Sequence, residues 1–160
     1  MKNVFVLGAL ALAVVVAGCG KSGLDQAERK VMPVTCANNL RQVGLGFRIW
    51  SGDHDDKYPF DVSTNAGGVM ELVTAKDGLR QNGYLMLQCM SNELTIPIIV
   101  VCPQDKAKSA AQDWASLTAS NVSYVFPATN KILLVCPIDG NVLYSDGTVL
   151  DKDGKVPSHE

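Results

Sequence analysis

The sequence predicts an α+β fold in which a long N-terminal helix packs on an antiparallel sheet. Two observations lead to this prediction. Four large apolar residues recur at steps of three, four and three, which places them on one stripe of an α-helix: Leu40, Val43, Phe47 and Trp50. Near the C-terminus, Asp146-Gly147 separates two apolar runs, the strongest short-range signal for a β-hairpin. Because one amphipathic helix cannot bury its stripe alone, the strands should cover it.

The predicted helix begins near Thr35, which can serve as an N-cap, because Pro33 disfavours an extension toward the N-terminus. It ends at the polar run 52–56. Gly44 and Gly46 lie in its interior, where each costs about 1 kcal/mol relative to alanine. We therefore expect another part of the chain to approach the helix closely at these glycines.

Four further segments predict the remaining elements. Residues 84–94 carry apolar groups at helical spacing and predict a second helix. Residues 98–102 form a continuous, mostly β-branched run, which is typical of a strand buried on both faces. Residues 121–126 alternate between apolar and other side chains, and residues 131–136 form a second apolar run, so both predict strands.

The first 18 residues have the features of a bacterial lipoprotein signal peptide. Lys2 precedes an apolar run, residues 4–16, that is too short to span a bilayer as a mature helix. Small residues then stand directly before Cys19, as in a lipoprotein cleavage box. We predict cleavage before Cys19 and attachment of lipid, such as palmitate, to its thiol and new amino group. An ordinary secretory signal or an uncleaved anchor is the alternative.

This signal defines the predicted domain organisation and location. Residues 19–34 form a lipid-anchored tether, 35–150 the α+β domain and 151–160 a polar tail. The lipid on Cys19 would hold the protein on the periplasmic face of a membrane in the cell envelope. Gly20 stands where an aspartate would act as an inner-membrane retention signal, which favours the outer membrane.

The charge balance argues against nucleic acid as a partner. Removing the signal leaves 13 Lys and Arg residues against 16 Asp and Glu, a net charge of −3. A mildly acidic chain without a basic stripe is not typical of a nucleic-acid-binding protein.

Four cysteines remain after Cys19: Cys36, Cys89, Cys102 and Cys136. An even number in an exported chain predicts two disulfides, with three possible connectivities. Free buried thiols and a zinc site are the alternatives. Zinc is disfavoured because no two of these cysteines lie two to four residues apart and because the predicted compartment is oxidising. The lack of a C-x-x-C motif argues against a thioredoxin-like site.

No constellation of residues predicts catalysis, so we expect a non-enzymatic protein without cofactor or metal ligands. The only histidines are His54 and His159, and no nucleophile elbow, zincin or phosphate-loop motif occurs. Two groups of acidic residues could bind calcium, but solvation and turn chemistry are the favoured explanation: Asp53, Asp55 and Asp56 beside His54, and Asp139, Asp146, Asp151 and Asp153 in later turns.

Several blocks of sequence resemble one family in the same order. The segment CANNLRQVGLGFRIW, followed by KYP, is similar to the end of the N-terminal helix in bacterial type II secretion pseudopilin-like proteins, which are abundant in Verrucomicrobia and Planctomycetes. The blocks that resemble the verrucomicrobial branch are STNAGGVMEL, LQCMSNEL, VVCPQDK and LTASNVSYVF. The resemblance covers residues 35 to 150 and implies a pilin-like fold, with the helix against an antiparallel sheet.

The chain departs from that family in two ways. A lipoprotein signal and Pro33 stand where a pseudopilin carries a prepilin leader and a long apolar helix. Cys136 stands where many relatives carry a histidine nine residues before the Asp-Gly pair. The resemblance therefore implies the globular part of a pseudopilin on a lipid tether, a module for contact with another envelope protein that is linked to type II secretion. A lipoprotein that binds a small ligand or calcium in the sheet-side loops is the alternative.

The resemblance also implies a disulfide pairing. Cys36 and Cys102 stand where relatives commonly carry cysteine, whereas Cys89 and Cys136 look like additions to the family pattern. Two added cysteines are most economically explained as partners of each other. The predicted bridges are therefore Cys36–Cys102 and Cys89–Cys136.

Overall fold

The computed structural model describes residues 21–158, and it confirms the predicted α+β class. Its largest element is a helix of 32 residues, α1, Lys21–Gly52. Short elements follow in the order β1 (Ala75–Lys76), β2 (Leu79–Arg80), α2 (Tyr84–Cys89), β3 (Ile132–Val135), β4 (Val142–Tyr144) and β5 (Val149–Leu150). Long loops and single 3-10 turns connect them.

The predicted C-terminal hairpin is present and forms most of the sheet that faces α1. Strands β3, β4 and β5 pair antiparallel in that order, and the turn at Gly147 joins β4 to β5. A register shift between Ile132 and Leu134 marks a bulge in β3. α1 packs against β4 and β5, so the last strands of the chain cover its first helix. β1 and β2 form a separate two-stranded hairpin.

The apolar stripe of α1 is buried as predicted. Leu40, Val43 and Phe47 are fully buried, and Trp50 is 3% exposed. The close approach at the helix glycines is also confirmed. A Cβ atom at Gly44 would lie 2.7 Å from the Leu143 side chain of β4. A Cβ atom at Gly46 would lie 2.5 Å from Leu94.

The predicted start of the helix is wrong, because α1 continues through Pro33 to Lys21. Thr35 is not an N-cap, and its hydroxyl donates to the carbonyl of Val31 within the helix. The segment placed in the tether is therefore helical from Lys21 onward and continuous with the domain. Proline removes the amide that would bond the carbonyl four residues earlier, and α1 continues past Pro33 without it. The buried Asn141 side chain donates to the Pro33 carbonyl at 2.9 Å, which joins this part of α1 to the chain just before β4.

Three other predictions need correction. Residues 98–102 are not a strand. Pro97–Val100 is a 3-10 turn, in which Ile98 is exposed. Pro97 starts this tight turn, and the β-branched run continues it. The second helix is α2 alone, followed by turns through residue 93. Residues 121–126 form only an isolated bridge between Val125 and Val135, although Val122, Tyr124 and Phe126 are buried together as expected.

Candidate functional site

Three cysteines and one aspartate converge at the end of the sheet nearest the middle of α1. Cys36 lies on α1, Cys102 follows the 3-10 turn Pro97–Val100, and Cys136 and Asp139 follow β3. Their sulfur and carboxylate oxygen atoms all lie within 4.8 Å of one another. All three cysteines are buried, whereas Asp139 is half-buried. We call these four residues the thiol cluster.

The turn after β3 aims two members of the cluster in the same direction. The amide of Gly140 donates to the Cys136 carbonyl at 3.0 Å, which closes a reverse turn over residues 136–140. Gly140 has φ +74°, a backbone conformation that glycine adopts without strain. The amide of Asp139 donates to the Cys136 sulfur at 3.4 Å. A second turn begins at Cys102, whose carbonyl accepts from the Asp105 amide at 2.9 Å.

Polar side chains surround the cluster. The Cys102 thiol donates to Asp139 Oδ2 at 3.0 Å, and the Gln104 amide donates to the other carboxylate oxygen. The Tyr124 hydroxyl lies 3.8 Å from the Cys36 sulfur. The hydroxyl of the buried Ser123 accepts from the Cys102 amide at 3.0 Å. Gln104 therefore fixes the Asp139 carboxylate in the orientation that brings one oxygen to the thiols.

These contacts separate the pKa values of the three thiols. Hydrogen bonds from the Cys102 and Cys36 thiols, together with backbone amides, lower the pKa of Cys136 well below its usual range. The pKa of Cys36 is raised by its hydrogen bonds to Cys102 and Cys136 and by burial. The pKa of Cys102 is raised chiefly by its bond to Cys136. Of the three thiols, Cys136 therefore has the lowest pKa.

Two kinds of chemistry suit this arrangement. The three sulfur atoms lie within 4.8 Å of one another, the proximity that a disulfide between two of them needs, and three thiols with a carboxylate are a ligand set for a soft divalent metal. All four cysteines of residues 21–158 are free thiols in the structure. Cys36 and Cys102 lie close together, as the first predicted bridge requires, and that bridge stays a prediction.

Cys89 has a different environment. It lies in α2, where its thiol donates to the Gly67 carbonyl at 3.0 Å. Burial raises the pKa of this thiol. Cys136, its predicted partner, shares the cluster with Cys36 and Cys102 instead. The Cys89–Cys136 bridge stays a prediction, and forming it would require Cys136 to leave the cluster.

Asp146, Asp151 and His54, also considered from sequence, serve local structure, and Cys19 lies outside the described residues. The Asp146 carboxylate accepts from the Thr148 amide, and Asp151 accepts from the amides of Asp153 and Lys155. The His54 ring stacks on Trp50 at a centroid distance of 3.6 Å, and its Nδ1 lies 2.7 Å from the Trp50 carbonyl. Turn chemistry and packing account for these side chains without a bound ion.

A second candidate site lies on the solvent-facing side of α1. Six exposed residues follow one another at steps of four and three without a charge among them: Val31, Thr35, Asn38, Gln42, Leu45 and Ile49. We call this set the outer stripe. Its three apolar members are 46–57% exposed. The outer stripe has the same helical spacing as the buried stripe, so its pattern is also visible in the sequence.

Comparisons with protein-family models, with curated proteins and with solved structures gave no match. Among residues 21–158, no helix combines the length and the hydrophobicity needed to cross a lipid bilayer.

Proposed function

We propose that the protein is a non-enzymatic, lipid-anchored protein of the cell envelope, whose pseudopilin-like domain binds another envelope protein through the outer stripe of α1. The observation that carries this proposal is the stripe itself. Its spacing of four and three along one helix is the spacing of a coiled-coil seam. An exposed seam without charges is suited to packing against a second helix.

The composition of the stripe defines the partner. Leu45 and Ile49 lie one helical turn apart and supply an apolar centre, while Gln42 can pair with polar groups across the seam. The Asn38 side-chain oxygen accepts from Arg41 on the same helix at 2.6 Å. Arg48 is exposed beside this centre, in a position flanking the seam. Flanking charges of a seam select the partner, so we expect acidic residues next to an apolar stripe on its helix. We expect the partner to be a pilin-like envelope protein whose long helix carries such a stripe.

The lipid anchor is the other half of the proposal. The small residues before Cys19 support it, and α1 begins at Lys21, directly after the predicted attachment point. A helix that starts so close to the lipid would hold the outer stripe near the membrane surface, where the helices of other anchored proteins are concentrated.

The Cys19→Ser variant should lose its lipid, because the thiol that accepts the diacylglyceryl group is absent. We expect labelled palmitate to enter the wild-type chain and not the variant, which should be unprocessed or released from the membrane. The Cys89→Ser variant is the matched control and should incorporate palmitate normally. Incorporation into Cys19→Ser would contradict the anchor.

The double variant Leu45→Glu/Ile49→Glu should bind the partner at least tenfold more weakly, because two charges would be placed in an apolar seam; tenfold corresponds to about 1.4 kcal/mol. Binding is measured by quantitative co-purification of pilin-like proteins from envelope extracts. Leu72→Glu is the control, since Leu72 is 48% exposed but lies outside α1. Partner binding that falls equally in the double variant and in Leu72→Glu, or that falls in neither, would contradict a contact specific to the outer stripe.

A further inference from the structure

The thiol cluster contains more ligand groups than a disulfide uses. A bridge between any two of its cysteines would use two sulfur atoms and leave the third thiol and the Asp139 carboxylate outside the bond. Four donor atoms from three separate parts of the chain, all within 4.8 Å of one another, instead match the number of ligands of a structural zinc site.

We propose that Cys36, Cys102, Cys136 and Asp139 bind one zinc ion in a tetrahedral site that fastens α1 to the C-terminal sheet. This inference is independent of the proposed contact through the outer stripe. It differs from the sequence prediction, in which disulfides were favoured over zinc.

The distances suit zinc. With Zn–S bonds of about 2.3 Å, the sulfur atoms of a tetrahedral site lie about 3.8 Å apart. The four donor atoms lie within 4.8 Å, so rotations of side chains that shift each atom by about 1 Å or less would complete the site. All three sulfur donors are buried, as in closed structural sites.

The backbone around the ligands is already arranged for metal binding. In the turn 136–140, a cysteine and the residue three positions later present their donor atoms on the same side, and the Asp139 amide donates to the Cys136 sulfur at 3.4 Å. Amide donation of this kind stabilises a thiolate, the form of cysteine that binds metal. The pair has no zinc-site signature in the sequence, because the residue three positions after Cys136 is an aspartate and not a second cysteine.

Neighbouring residues complete the site. The Gln104 side chain holds one oxygen of Asp139, which leaves Oδ2 directed at the thiols. The Tyr124 hydroxyl lies beside the Cys36 sulfur at 3.8 Å. Such outer contacts orient metal ligands and are needed for full affinity. A surface groove lined by Thr35, Ile98 and Cys102 reaches the cluster and offers a route for the ion.

The test begins with the full-length protein, purified in detergent without chelators or alkylating agents for metal analysis, while a separate portion is denatured and alkylated at cell lysis for peptide mapping. We expect one zinc per chain by elemental analysis, and no disulfide among the cluster cysteines by peptide mapping. Zinc-free chain with a Cys36–Cys102 bridge, or with any other bridge within the cluster, would overturn the proposal. Chain that contains neither zinc nor a bridge would also overturn it.

Cobalt provides a second readout on unblocked protein, reduced and stripped of metal. Added Co²⁺ should produce the sulfur-to-metal charge-transfer and intense visible bands of a tetrahedral thiolate site, and Zn²⁺ should abolish them. The Asp139→Asn variant keeps all three thiols and should bind Co²⁺ at least 10- to 100-fold more weakly, because the loss of an outer contact of a ligand already costs that much. The Cys136→Ser variant lacks one thiolate ligand, so its sulfur-to-metal charge-transfer bands should be weaker than those of Asp139→Asn.

The Cys89→Ser variant is the control, because it removes a cysteine outside the cluster. It should give the wild-type Co²⁺ spectrum and affinity. A spectrum that is unchanged in both Asp139→Asn and Cys136→Ser, or that is lost only in Cys89→Ser, would place the metal elsewhere and overturn the assignment. The Co²⁺ spectrum of the wild-type protein tests the site without any variant. A variant that fails to fold therefore does not affect that result.

Discussion

Replacing Phe47 by alanine should lower the free energy of unfolding by about 3–5 kcal/mol, the range for a large aromatic residue removed from a core. Phe47 is fully buried on the inner face of α1. Its ring meets the Tyr58 ring edge to face at 5.9 Å, so truncation would remove this contact as well as leave a cavity. Urea unfolding followed by circular dichroism measures the change.

The Leu45→Ala variant is the control for this prediction. Leu45 lies on the same helix but is 57% exposed, so its truncation should change stability by less than about 0.5 kcal/mol in the unbound protein. Similar losses in Phe47→Ala and Leu45→Ala would mean that the orientation of α1 on the sheet is wrong.

Replacing Gly68 by alanine should destabilise the protein by about 3 kcal/mol, at the upper end of the range for overpacking. A Cβ atom at this position would lie 2.0 Å from the carbonyl oxygen of Val62, so backbone must move. Movement would disturb the bonds that the amides of Gly68 and Met70 make to the carbonyls of Ser63 and Val62, both at 3.0 Å. Thermal and urea unfolding measure the loss.

Gly52→Ala is the matched control. Gly52 ends α1, and nothing lies within 4 Å of the position that its Cβ would take. Alanine is the better helix former, so this variant should be as stable as the wild type or more stable by up to about 1 kcal/mol. Greater damage from Gly52→Ala than from Gly68→Ala would contradict the packing of the loop that contains residues 62–70.

The elements that could be predicted from sequence are those specified by local patterns. The stripe of α1 repeats with the helical period, and Asp146-Gly147 specifies a tight turn, so both were identified without knowledge of distant contacts. The buried side of the segment 121–126 also followed from its alternation, although its partner did not. Helix glycines predicted close packing, and the structure supplied the neighbours, Leu143 and Leu94.

The features that could not be predicted depend on contacts between distant segments. α1 continues through Pro33, and the Pro33 carbonyl accepts from Asn141, which is 108 positions away. The run 98–102 has strand propensity, yet Pro97 and the packing of Ile99 and Val100 against the core place it in a 3-10 turn. The thiol cluster joins residues from three regions, so spacing along the chain gave no sign of it.

The most direct test of the central claim is a photo-crosslinking measurement in intact cells. A photoreactive amino acid at position 45, in the outer stripe, should crosslink to the helix of a pilin-like envelope protein, and mass spectrometry should locate the link on an apolar stripe flanked by acidic residues. The same probe at position 72 should give no such product. Crosslinks of equal yield from both positions, or no protein crosslink from position 45, would contradict a contact through α1.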